Sequence, residues 1–298
     1  MTPDSTTPDV PRSDPPASPQ PNLPPGWLSR WPWATFLLPL IVYMVVGTQE
    51  PKPPDYPPSA DPSAANDDPG NSQVDSVEPG IDDEHYDYEL EYQIQRYRRY
   101  PTIYTIKIAL TLVAIVLVWA GYRTFAWRLS GLSIVVGVLG VVLWIGLCHA
   151  QLEVRLLRPL GLARFVELGE RSAFNPLEQL AETPAWAYTF LAIRFAGLAL
   201  IVPLIEEFFI RGFLMRFVIN DQWWKWPFGV VNRTAVIVGI LFPMLMHPSE
   251  LLAAFVWFSL ITWLMVRTRN IWDCVVAHAV TNLLLGIYVV AFDQWQLM

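Results

Sequence analysis

Charge is scarce in this chain: only 16% of residues are Asp, Glu, Lys or Arg. What charge there is clusters. Of the 27 acidic residues, 13 fall between Glu50 and Glu91, so the net charge of -7 describes one segment. No basic stripe is present to neutralise phosphates, which argues against a nucleic-acid partner. Cysteine is nearly absent. Cys148 and Cys274 both lie inside apolar runs, so a disulfide framework is excluded. No His-Glu-x-x-His stretch occurs, which excludes a zincin helix.

Apolar residues are abundant instead. They make up 53% of the chain, with 14 Trp, a balance that soluble domains rarely show. The pattern predicts an all-α fold: a polytopic transmembrane helical bundle of about seven spans, with a disordered N-terminal tail and an acidic linker. Residues 1–30 form the tail, rich in Pro, Ser, Thr and Asp and unable to bury enough apolar surface to order. Residues 31–49 hold a first span, Trp31 to Thr48, with Trp31 and Trp33 at its interface end. Residues 50–100 are an acidic, Pro-rich linker, expected to be a solvated tether.

Residues 101–183 contain two strong spans, Thr102–Tyr122 and Leu129–Ala150, then a stretch mixing Leu with charge. Lys107 is expected to snorkel from its span to the surface. Glu153, Arg155, Arg158, Arg164, Glu167, Glu170 and Arg171 suggest helices lying at the membrane surface. Residues 184–298 form a core of further spans: an apolar segment through Phe217, then about Thr234–His247, Leu251–Val266 and Ile271–Phe292. Over the whole chain the basic residues do not fix the orientation; the C-terminal half alone favours loops 216–233 and 267–270 on the inner side.

An ionisable residue inside a span costs a few kcal/mol and needs a partner or a water-filled cavity, so each marks a candidate site. Glu206 and Glu207 follow Pro203, which removes the helical donor of the Ala199 carbonyl and favours a kink. On a helix the two glutamates project about 100° apart. Arg211 lies four residues after Glu207, on the same face, where a carboxylate–guanidinium pair forms. Glu206 is thereby left to act on water. His247 ends one apolar run. His278 and Asn282 lie four apart on another and share a helical face. The set suits peptide hydrolysis by a glutamate-activated water with His or Asn donors on the oxyanion. It equally suits Zn²⁺ held by Glu206, His247 and His278. Arg194 either pairs with an intramembrane acid or snorkels. Asp273 and Asp293 are expected at the interface, with Trp223, Trp224 and Trp226 as an aromatic belt.

Glu-Glu-x-x-x-Arg at 206–211, the later His247 and His-x-x-x-Asn at 278–282 together resemble the CPBP intramembrane proteases. That family includes CAAX prenyl endopeptidases and bacteriocin-immunity proteins. The stretches following His247, Arg267 and Ala277 are similar to the bacterial CAAX-protease-related subfamily found near exosortase systems. The resemblance implies Glu206 as the water-activating base and Glu207 and Arg211 as supporting residues. His247, His278 and Asn282 would complete the site. Pro243 stands where the family usually has Phe, four residues before the first site histidine. The implied protein is a multi-pass endopeptidase of the bacterial inner membrane, with a membrane-associated protein or peptide as substrate. That substrate would be lipidated or carry a sorting signal at its C-terminus. A non-catalytic immunity or chaperone protein of the same fold, or a proton-linked transporter, are the alternatives.

Overall fold

The seven apolar runs form seven helices, five of them long and apolar enough to cross a membrane. The computed structural model describes residues 24, 26–54, 81–150, 152, 155, 159 and 173–297, with backbone alone for 81–87. The described residues are helical or irregular, with no strand among them. The tail before residue 24, the linker from 55 to 80 and most of the expected surface-helix region (151–172) lie outside the described residues.

Helix α1, Ala34–Gly47, is 14 residues long, shorter than the span expected at 31–48. At 1.5 Å per residue it covers about 21 Å, against roughly 30 Å of hydrocarbon. It packs along α3. The two backbones approach closely at Gly121, where a Cβ would collide with Thr35.

Helix α2, Ile81–Tyr97, corrects the reading of residues 50–100 as a tether throughout: their last third is helical. Pro ceases after Pro79, and Glu, Gln and Arg are good helix formers. Tyr97 is buried, with its ring against Phe174. Helix α3, Tyr100–Tyr122, carries Lys107. Lys107 does not snorkel. It is 4% exposed, pairs with Glu50 at 2.5 Å, and lies over the Tyr43 and Tyr104 rings. A buried ammonium needs such partners.

Helix α4, Gly131–Ala150, starts two residues later than expected. Asp273 fixes that start by accepting the Ser130 N–H at 2.8 Å, and its side chain is buried. Gly137 and Gly140 let α4 approach α8, Ile271–Phe292, within a distance that a Cβ would not permit. Thr281 Oγ1 donates across the same contact to Gly137 O at 2.8 Å.

Helix α5 is continuous over Pro184–Phe217, through two π-helical segments, Gly197–Ile201 and Phe208–Leu214. Its Arg194 is buried and donates to Phe174 O at 2.6 Å. Helix α6, Arg233–Leu245, has 13 residues and is also shorter than a span. The Asn232 side chain caps its start by accepting the Ala235 N–H. Pro248 ends it, because a residue before proline avoids the α region. His247 accordingly has φ -127° and ψ 61°. Helix α7, Leu251–Thr268, ends at a left-handed Arg269, and Asn270 then caps α8. Helices α4, α6, α7 and α8 enclose one apolar core; α1, α3 and the start of α8 enclose a second, aromatic one. Both cores take residues from α5.

Candidate active site

Pro203 sets the local geometry of α5. The π segment before it shifts the hydrogen-bond register, so Val202 N–H reaches Gly197 O, five residues back. In that register the carbonyl left without a donor is that of Leu198, not Ala199. Asn282 meets it: Nδ2 donates to Leu198 O at 2.9 Å. Asn282 therefore stands on α8 with one amide hydrogen committed to α5 and one remaining.

The two glutamates separate as their 100° offset requires. Glu207 is fully buried, and Arg211 is fully buried beside it. Arg211 Nε lies 3.2 Å from Glu207 Oε2, and Arg211 Nη1 donates to Oε1 at 3.5 Å. The Nε contact is an ion pair without hydrogen-bond alignment. His278 Nδ1 lies 2.9 Å from the same Glu207 Oε1. An ionised carboxylate only accepts, so Nδ1 carries a proton. Glu207 thus ties α5 to α8 from behind the site.

His247 is held by its own turn. Nδ1 lies 2.8 Å from Pro243 O, which also only accepts, so this ring too is protonated at Nδ1. Pro243 is buried, and the His247 ring packs edgewise on Trp144 and against Phe258. The sequence places His247 at the end of a span; the structure places it in the turn between α6 and α7.

Glu206, His247, His278 and Asn282 line one cavity of about 530 Å³. That volume lies within the range of small-molecule and peptide sites. Glu207 and Arg211 are not on its wall. Its remaining wall is largely apolar, including Tyr43 of α1, Trp144 of α4 and Trp257 of α7. The sequence reading missed Glu250. It is 7% exposed, lines the cavity, and its Oε2 accepts from Ser249 Oγ at 2.9 Å. The available signal was a carboxylate three residues after His247, at the mouth of an apolar helix. His149 is a bland case: it bonds Tyr288 at 2.7 Å.

A zinc ion would suit two imidazoles and a carboxylate chemically. Among the described residues, however, no three His, Cys, Asp or Glu side chains group closely enough to hold a metal ion. Glu206, His247 and His278 share the cavity without forming a ligand cluster.

The fold and cavity define a polytopic helical membrane protein with a polar site inside its bundle. Residues 186–284 match the family model of type II CAAX prenyl endopeptidases, Rce1-like. The match covers about a third of the chain, and Glu206, Glu207, Arg211, His247, Glu250, His278 and Asn282 all fall within it. No curated protein and no solved structure matches the chain.

Proposed function

We propose that this chain is an intramembrane endopeptidase in which Glu206 activates water against a peptide bond. One observation carries the reading: a half-buried carboxylate, two imidazoles and an amide share one cavity, while the neighbouring Glu207–Arg211 pair is sealed behind it. The likeness to the CAAX endopeptidase family supports the same reaction class.

The reaction follows from the donors present. Glu206 takes a proton from water as the oxygen attacks the carbonyl carbon. His247 Nε2 accepts from the water's other hydrogen and orients it. The charge developing on the carbonyl oxygen is met by the second Nδ2 hydrogen of Asn282 and by protonated His278, whose positive charge Glu207 offsets. Glu206 then returns its proton to the amine nitrogen as the C–N bond breaks. No step needs a metal. The apolar wall and membrane setting favour a substrate whose C-terminus is lipidated or bears an apolar sorting signal. The likeness to the exosortase-associated subfamily favours the latter, in a bacterial inner membrane.

Glu206→Gln is the test. In liposomes with peptides that end in an apolar sorting signal or in a lipidated residue, the wild-type chain releases a shortened peptide visible by mass spectrometry, and the variant releases none. Full cleavage by the folded variant removes Glu206 as the base. Partner capture without cleavage by either chain supports the non-catalytic alternative, and substrate flux into intact liposomes supports a transporter.

A further inference from the structure

A second cavity, of about 420 Å³, lies at the other end of the bundle. It is formed where the start of α1, the α3–α4 loop, the loop after α5 and the α7–α8 turn meet. Glu206 and Arg216 both lie on α5, and the ten steps from one to the other rise roughly 15 Å. The second cavity is therefore remote from the proposed catalytic groups.

Its wall carries Arg128, Arg216 and Arg269, and no Asp or Glu. Among the described residues, no carboxylate forms an ion pair with any of the three. Arg216 is the informative one. It is 5% exposed, and burying a guanidinium without a counter-charge is costly. Its donors go to backbone carbonyls: Nε to Trp226 O at 3.0 Å, Nη1 to Gly212 O at 3.0 Å and Nη2 to Trp224 O at 3.4 Å. Three of five N–H groups are thereby used and two remain. The carbonyls fix the fork in position but supply only partial negative charge. The Trp223 face adds a cation–π contact. The rest of the wall is aromatic or aliphatic, with Phe36, Phe125, Trp224 and Phe228 among it.

We infer that this cavity binds a phosphate group. Three guanidinium groups around one space exceed what a single carboxylate would neutralise, and their forked donors match phosphate oxygens. The aromatic wall suits an attached glycerol or acyl portion. Trp and Arg at this level are also what the headgroup region of a bilayer favours. The phosphate is supplied either by an anionic phospholipid or by a soluble phosphate.

The full-length chain in detergent, mixed with equal amounts of phosphatidylglycerol and phosphatidylcholine, tests this by native mass spectrometry. The expected result is preferential retention of phosphatidylglycerol. Arg128→Gln/Arg269→Gln should lower that retention about tenfold or more, as expected on losing charge-assisted donors. Both side chains are exposed, so this variant keeps its fold; Arg216 is avoided because its carbonyl bonds anchor the loop. A separate arm adds inorganic phosphate without lipid. A retained phosphate adduct that the double variant loses assigns the site to soluble phosphate. Equal retention of both lipids with no phosphate adduct overturns the inference, and so does unchanged anion retention by the double variant.

Discussion

Glu206 and Glu207 are the same chemical group one position apart, and the fold gives them opposite fates. Rotation about the helix axis turns Glu206 into the cavity and buries Glu207 against Arg211 and His278. Their substitutions should therefore fail differently. Glu206→Gln should leave thermal stability near that of the wild type while cleavage disappears. Arg211→Met strands the Glu207 carboxylate in a buried place, and breaking such a pair costs roughly 3–5 kcal/mol. Its expected signature is a large fall in melting temperature, or no folded protein, measured in detergent. Equal stability of Arg211→Met and wild type would mean that the pair does not anchor α5. Chelators provide a further check at this scale: EDTA should leave cleavage intact if protein groups alone do the chemistry, whereas zinc-restorable loss would point to a metal.

At the scale of elements, α5 is defined by the register change around Pro203. The π segment moves the missing donor to Leu198 O, and Asn282 supplies it from α8. Asn282→Ala should cost about 1–3 kcal/mol, the penalty for orphaning a buried acceptor. In a Pro203→Ala background, where an N–H is restored, the same change should cost less. A double-mutant thermal cycle reads the difference, and strict additivity would refute the coupling. The α4–α8 contact is another element-scale dependency. A side chain at Gly140 would run into Trp257 and Thr281. Gly140→Leu should therefore push the helices apart and lower the yield of folded protein, seen by size-exclusion chromatography.

At the scale of the whole molecule, the bundle must admit water to one interior site while presenting apolar surface elsewhere. Met246 lines the cavity, whereas Val135 is 62% exposed on α4 and far from it. In a Cys148→Ser background, Met246→Cys should react with a hydrophilic maleimide in liposomes, and Val135→Cys should not. Labelling of both, or of neither, would contradict a water-accessible cavity bounded by lipid-facing helices.

Much of this architecture was legible in the sequence because hydrophobic run length and helical offset are local properties. Run length alone predicted the helices at Tyr100–Tyr122 and Ile271–Phe292 to within two residues. The i,i+4 spacing predicted the Glu207–Arg211 pair. Composition could not show that α1 stops short of a full span, since flanking turns end it. It also missed the helical end of the linker, where local propensity outweighs net charge.

The chain by itself determined which segments are helical and apolar and which polar groups must find partners within them, because both follow from chemistry within a turn or two. Only the packing decided that Glu250 joins the cavity, that Asn282 satisfies Leu198, and that Arg128, Arg216 and Arg269 converge. Those pairings link residues far apart in sequence, and the side chains that meet are set by how whole helices pack together.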